Sequence, residues 1–557
     1  MRILQIVHLF PPEQSAGTEL YTQALSIALI ARGHDCFVLS GSNQTAPLGL
    51  LIGEEDSPTV VRLMGLRKRS GLRGDIYDST VDHLVRRFLD LWRPDVVHLQ
   101  HWLRLTGNLV AICTELQLPS VVTLHDQWIA CSRIHRLQPS GTFCSTFETP
   151  CVSCVDRDPW QTDQEVAREL GLRSQLLSQE LQLADCILVP SLAQQQFLQE
   201  LTDFPLERLR VLPLGSPADA LPKAPADREK PSDAPLIIGY WGHLTPLKGV
   251  HVLLEAARLL PEQALARSEW HILGISGDPA YSERLEGLAK GLPVTFHGPY
   301  RRPELGTLGL DVAVFPTLGY ETYSFVLDEA FRLRIPVIVP DRGAPADRIG
   351  QAGITFAAGD AQDLARKIQR LLDEPDILEG LRRGVPKEGE VSMEAHAADM
   401  EKIYQETAMS KSKKGKRVQS YRSLLQHREQ QLFDREQHIS DLERQVGELS
   451  HQVTHLTNES QNHQAKLQEQ IEESLLLHTK IAERDRLLLA LRADLDARTQ
   501  EATALREQVG ERDRQLAVIR GSVLGSVDAA LKGFLDRVKA RPRHASTVSR
   551  RAKEKDI

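Results

Sequence analysis

Two carboxylates, Glu321 and Glu329, stand eight positions apart in the stretch PTLGYETYSFVLDEA, residues 316–330. Pro316, Gly319 and Tyr320 punctuate the end of an apolar run, DVAVF, and a helical pattern begins near Tyr323 or Ser324. Unpaired N–H groups at a helix N-terminus favour an anion such as phosphate. Glu321 would then precede the anion site. Glu329 would lie roughly 7 Å further along the helix, at ~1.5 Å of rise per residue. A ligand built of sugar, diphosphate and ribose needs this layout: acceptors for two sets of hydroxyls, with donors between them. The competing reading is two solvated glutamates around a helix start.

Other residues fall where such a ligand would need them. Gly17, followed by Thr18, sits between a first apolar run and a first helical pattern, and glycine there lets backbone approach a ligand. His125 and Asp126, in TLHDQW, follow another apolar run; a histidine there can bond a sugar hydroxyl. The competing reading is a capping aspartate with a structural histidine, and His98 and His101 read as support. Lys248, in TPLKG, supplies a cation for a departing diphosphate. His243, five residues earlier, is a further donor candidate. The glycine turn in DRGAPADRI (residues 341–349) reads as structural.

These residues need strand ends to hold them. ILQIVHLF, CFVLS, DVVHLQ, SVVTLH and CILVPS alternate with helical spacings over the first 220 residues, and LIIGYWG, SEWHILG, PVTFHG, DVAVFP and PVIVP do so over 236–408. The expected fold class is α/β, two tandem Rossmann-like domains facing a cleft. A Pro-rich passage ending at residue 235 reads as the linker (221–235). Residues 409–420 are a basic linker. A heptad register through Val446 then runs over 421–520 and predicts a long C-terminal α-helical coiled coil of roughly 150 Å. Arginines at d positions and a polar gap from Ser460 to Ser474 interrupt it. The tail, 521–557, starts amphipathic and ends basic; it is a candidate for contact with an anionic membrane face, or a solvated tail.

Net charge is −8, which argues against a nucleic-acid partner. No apolar run approaches the roughly 18 residues of a membrane span. The N-terminus reads as a strand rather than a signal peptide, so a cytoplasmic location is expected, with peripheral contact at the inner membrane face through the tail. Four of seven cysteines, Cys131, Cys144, Cys151 and Cys154, lie within 24 residues. A structural zinc site, buried reduced thiols and redox-linked pairs are the three readings.

In order and spacing, SAGTELYTQALSIALIARGHDCFVL, PDVVHLQH, VVTLHD, GYWGHLTPLKGVHVLLEAA, FHGPY and the Glu321 segment resemble the retaining, nucleotide-sugar-dependent glycosyltransferases of the GT-B fold, family 4. The resemblance covers residues 1–408. It implies that Glu321 contacts the donor sugar, Glu329 the ribose, Lys248 and His243 the diphosphate, with Gly17 closing over it. His125 would lie beside the transferred sugar, and the backbone of Thr322, Tyr323 and Ser324 would add phosphate donors. Two features depart from the pattern: Ala16-Gly17 replaces a frequent glycine pair, and His243 stands where arginine is common. The implied reaction moves a hexose or deoxyhexose from a nucleoside-diphosphate sugar to a glycan or lipid-linked acceptor with retention, as in bacterial surface polysaccharide synthesis. No protein nucleophile and no catalytic metal are implied. The coiled coil implies a homo-oligomer. The rival class is a coiled-coil scaffold with an inactive α/β part.

Overall fold

The apolar runs form two parallel sheets in the computed structural model. It describes residues 1–44, 46–53, 58–66, 78–145, 151–157, 161–202, 204, 208–216, 234–386, 391–410, 444–457, 483–501 and 503. The first sheet holds β1 (Arg2–Val7), β2 (Asp35–Gly41), β3 (Gly49–Ile52), β4 (Thr59–Met64), β5 (Val96–Leu99), β6 (Ser120–Thr123), β7 (Cys186–Val189) and β8 (Leu209–Val211). Its order is β3-β4-β2-β1-β5-β6-β7-β8, parallel except where β3 turns back on β4. Five helices are threaded through it: α1 (Gly17–Ala31), α2 (Ser79–Trp92), α3 (Leu109–Glu115), α4 (Asp163–Leu183) and α5 (Leu192–Leu201).

The second sheet holds β9 (Leu236–Trp241), β10 (Ser268–Leu273), β11 (Val294–Gly298), β12 (Val312–Val314), β13 (Val337–Pro340) and β14 (Gly353–Phe356). Its order is β11-β10-β9-β12-β13-β14. Its helices are α6 (Val250–Leu259), α7 (Glu262–Leu265), α8 (Pro279–Ala289), α9 (Phe325–Arg332), α10 (Gly343–Arg348), α11 (Ala361–Asp373) and α12 (Pro375–Gly384), and α13 (Met393–Met409) follows. Strands buried on both faces need unbroken apolar runs, and β5, β6, β12 and β13 are buried at every residue. The parallel part of each strand order reverses once, between β1 and β5 and between β9 and β12. Crevices at such switch points, outside the strands' C-terminal ends, are where open α/β sheets bind ligands.

The domain division departs from expectation at one end. The second domain was expected to run to residue 408, but α13 packs on the first sheet. Ser392 caps it, and Met393, Met400, Ile403 and Tyr404 join Ile3, Tyr21, Leu25, Val96 and Val121 in one core. Tyr21 Oη and His396 Nε2 meet at 2.7 Å within it. An amphipathic pattern fixes which face is buried, not which sheet covers it. The expected linker 221–235 falls almost wholly on 217–233, outside the described residues.

The chain divides into Met1–Arg417 and Val418–Ile557. In the second unit, 444–457 and 483–501 are helical. Arg498 Nη1 donates to Gln445 Oε1 at 2.5 Å, and Val453 and Leu488 are buried. A straight helix would hold residues 445 and 498 roughly 80 Å apart at ~1.5 Å per residue. Residues 445 and 498 are instead in contact, and 458–482 between them lie outside the described residues. A heptad seam specifies an apolar stripe but not whether it closes on another chain or on its own. The rest of 421–520, the basic linker beyond residue 410 and the tail 521–557 lie outside the described residues. No helix among the described residues is long and apolar enough to cross a membrane.

Candidate functional site

Lys248 and Glu321 are brought together by two loops that lock onto one another. Lys248 ends a short 3₁₀ turn after β9, and Gly249 follows at φ 70°. A Cβ on Gly249 would lie 1.9 Å from the Pro316 carbonyl oxygen, so only glycine lets the lysine loop press on the end of β12. The Leu318 N–H then donates to Leu247 O at 2.8 Å. Gly343, at φ 73°, supports the other side, where a Cβ would come within 2.6 Å of Glu321 O; Ala344 N–H donates to that oxygen at 2.9 Å. The DRGAPADRI turn is thus the floor under Glu321.

The Lys248 ammonium pairs directly with Glu321 Oε1. Burial pushes the Glu321 carboxyl up, but Lys248, His135 and Thr317 together outweigh it and hold the group below the ordinary carboxylate range. The carboxylate therefore stays charged at neutral pH. Deeper along α9, Glu329 is only 4% exposed. Its Oε2 accepts from Trp241 Nε1 at 2.8 Å and its Oε1 from Arg302 Nε at 2.7 Å. Two fixed donors hold this buried charge without using all its lone pairs, which leaves acceptor capacity for a hydroxyl.

The segment between the two glutamates is fastened to the first domain. Thr322 Oγ1 donates to His125 O at 2.5 Å, and Ser191 Oγ donates to Thr322 O at 2.9 Å. Tyr320 stacks on Phe197 with centroids 3.8 Å apart and donates to Ala193 O at 3.0 Å. Tyr323 Oη donates to Leu214 O at 2.7 Å. The side chains of Thr322 and Tyr323 are thus committed across the cleft, and only main chain there remains to face a phosphate. Ser324, at φ 76°, is the N-cap of α9 and makes no side-chain cap bond.

On the opposite wall, His125 and Asp126 leave β6. Asp126 Oδ1 accepts from Trp128 N–H at 2.8 Å and Oδ2 meets His101 Nε2 at 3.1 Å, so it caps a turn and braces His101. His125 Nε2 meets Gln100 Oε1 at 2.6 Å. Burial pulls its imidazole down to about 3, so the ring is neutral. Gly17 opens α1, and a Cβ there would meet the Phe325 ring at 3.7 Å, an ordinary contact. Gly17 therefore brings the first domain against the start of α9, and nothing in the protein itself demands glycine there. His243 is exposed, its carbonyl accepting from Tyr240 Oη at 2.8 Å.

The four cysteines of the expected zinc site, Cys131, Cys144, Cys151 and Cys154, lie near enough for the other three to act on Cys151. No three His, Cys, Asp or Glu side chains among the described residues are arranged to hold a metal. Cys144 is buried, while Cys151 and Cys154 flank a 3₁₀ turn at intermediate exposure. Burial, and then the neighbouring Cys154, Cys144 and Cys131, push the Cys151 thiol up to about 11. Sequence reasoning missed Gln100, His135, Trp241 and Arg302. Gln100 precedes His101, and Trp241 ends the strand two residues before His243, but neither residue type marked itself as part of a site. His135 sits in an irregular loop that no periodicity marks.

Comparison with known proteins follows the two sheets. Residues 15–219 match a family model described as Glycosyltransferase Family 4, and residues 235–374 match one described as Glycosyl transferases group 1. Glycogen synthase from Mycobacterium tuberculosis is 25% identical over 398 residues, spanning 67% of this chain and 87% of that protein. D-inositol 3-phosphate glycosyltransferase from Thermomonospora curvata is 32% identical over 191 residues, 31% of this chain and 44% of that protein. Among solved structures, sucrose-phosphate synthase from Thermosynechococcus elongatus superposes with a TM-score of 0.53 at 20% identity, covering 72% of this chain and 98% of its own. The catalytic domain of starch synthase IV from Arabidopsis thaliana, bound to ADP and acarbose, gives 0.50 at 14% identity, covering 73% and 99%. Both share the fold.

Proposed function

This chain belongs to glycosyltransferase family 4, and we propose that it moves a hexosyl or deoxyhexosyl group from a nucleoside-diphosphate sugar to a glycan or lipid-linked acceptor, with retention of configuration. One observation carries the reading. A half-buried carboxylate and a lysine are paired at the C-terminal edge of the second sheet, opposite a neutral histidine at the edge of the first. In the free protein Lys248 and Glu321 neutralise each other. A sugar nucleotide entering the cleft separates their roles: Lys248 faces the diphosphate, and Glu321 accepts from the sugar hydroxyls. As the glycosidic bond to the diphosphate lengthens, negative charge grows on the leaving oxygen. A fixed ammonium in a partly dry site stabilises that charge more than it stabilises the ground state. The main chain at the start of α9 adds N–H donors. Glu329, held by Trp241 and Arg302, accepts from the ribose. No side chain serves as nucleophile; the acceptor hydroxyl attacks on the face the diphosphate leaves and passes its proton to the departing phosphate oxygen.

A glycan acceptor has support from the glycogen synthase relative. A role in bacterial surface polysaccharide synthesis, self-association through the C-terminal helices and membrane contact through the basic tail complete the proposal. Sedimentation of the full chain against one ending at residue 410 tests assembly, and vesicle flotation of the same pair tests the tail. For the chemistry, the test is turnover of Glu321→Ala with a nucleotide-sugar panel: transfer is lost while the circular dichroism and melting profile persist. Near-normal turnover would refute the assignment.

A further inference from the structure

Behind His125 lies a buried polar chain that the transfer step above does not use. Gln100 follows β5 and is 1% exposed. Its Oε1 faces His125 Nε2 at 2.6 Å, and its Nε2 donates to Gln5 Oε1 on β1 at 2.8 Å. Gln5 Nε2 donates to Tyr404 Oη on α13 at 3.2 Å. Tyr404 Oη meets His98 Nδ1 at 2.7 Å, and His98 Nε2 meets Thr123 Oγ1 at 2.7 Å. Donor and acceptor alternate along the whole chain, from the returning helix to the candidate site. An amide oxygen accepts and never donates, so His125 Nε2 must carry the ring proton. That leaves Nδ1 as the lone-pair nitrogen; the ring's hydrogen bond among the described residues is the one on Nε2. The backbone of His125 is fixed from the other domain by Thr322, and its ring is fixed from behind by Gln100.

We propose that Gln100 is a positioning residue: its amide oxygen holds His125 as the Nε2–H tautomer, so the imidazole meets the donor sugar as a hydrogen-bond acceptor through Nδ1. Such a site selects a sugar with a hydroxyl to donate there and disfavours the deoxy analogue, which would leave a polar atom unpaired. The inference rests on the reading that His125 lies beside the transferred sugar. The groups acting on the ring are Asp126 on its own loop, His101 beyond β5, His8 after β1 and Glu19 on α1. The Tyr21 ring lies 5.2 Å away, with His396 bonded behind it. Burial outweighs the two acidic neighbours, so the ring stays neutral through the working range of pH.

Three measurements test this. Selective ¹⁵N-histidine labelling of the full chain, with His125→Ala identifying the signal, reads the tautomer directly; an Nδ1–H ring in the wild type overturns the proposal. Gln100→Glu keeps an acceptor at Nε2 but makes it a carboxylate, which raises the imidazole pKa; kcat/KM then acquires an ionisation between pH 5 and 8 that the wild type lacks. Gln100→Leu lowers kcat about tenfold or more with a smaller change in KM. Wild-type pH behaviour in the first variant, or wild-type kcat in a folded second variant, overturns the positioning role. If His125→Ala itself turns over normally, the placement of His125 beside the sugar falls and the positioning role with it. If His125→Ala is impaired and the Gln100 variants are not, only the positioning role falls.

Discussion

The two walls of the cleft are built from the same parallel architecture yet present opposite electrostatics. In the second domain, Lys248 after β9 pairs with Glu321 ahead of α9, and Arg302 after β11 pairs with Glu329 within α9. On the first sheet the ends of β1, β5 and β6 carry His8, Gln100, His101 and His125, and the carboxylates there, Glu19 and Asp126, are each bonded to an imidazole, His8 and His101. A lysine facing the ligand stabilises negative charge that develops during a reaction; a wall of imidazole and amide reads hydroxyl geometry without supplying a fixed cation. The donor's diphosphate thus belongs to the second domain and the hydroxyl pattern of the transferred sugar to the cleft between them.

That contrast breaks first at Glu321. Glu321→Gln preserves shape and removes charge, and steady-state kinetics should show kcat/KM falling by about a thousandfold, the upper end of what one oriented electrostatic group contributes. Lys248→Met should cost about a hundredfold and raise KM for the sugar nucleotide, since the ammonium acts on bound diphosphate as well as on the leaving group. His125→Phe, on the neutral wall, should cost only about tenfold. An equal loss at His125 and Glu321 would erase the distinction between the walls.

A smaller effect separates the walls by stability. Burial holds His8, His98, His125 and His396 below the ordinary imidazole value, His125 at about 3 and His396 at about 4. The unfolded chain protonates these groups below about pH 6.5 while the folded protein does not, so folding stability drops as pH falls from about 6.5 toward 4. Two carboxyls oppose this: burial pushes Glu180 up to about 7 and Asp328 up to about 6, so the folded state takes up their protons first. The four imidazoles outnumber them, and the melting midpoint of residues 1–410 should fall by several degrees between pH 7 and 5. A midpoint that holds or rises over that interval would show that the first wall is not buried neutral.

Sequence alone made much of this visible because parallel strands are buried on both faces and read as unbroken apolar runs. DVVHLQ, SVVTLH, DVAVFP and PVIVP all became strands, and the loops after them carry His125 and Glu321. Strands β3, β8 and β14 were missed because, at the sheet edges, they are half-buried or exposed at several positions and form no buried apolar run, and β4 beside β3 was missed with them. The return of α13 was hidden for a different reason: its stripe of Met393, Met400 and Tyr404 fits either sheet, and only tertiary packing decides. The heptads around Val446 likewise reveal a seam but not the contact between Gln445 and Arg498. At the site, the charged residues were legible from type and position. Gln100 and His135 were not, because an amide after a strand and a histidine in an irregular loop carry no pattern.

Calorimetric titration of a nucleoside diphosphate and of its sugar form into the wild type, Lys248→Met and Glu321→Ala tests the division of labour most directly. The account predicts that Lys248→Met weakens both ligands alike, while Glu321→Ala binds the bare diphosphate as the wild type does and loses the increment contributed by the sugar. Equal losses for both ligands in both variants, or no binding to the wild type, would contradict it.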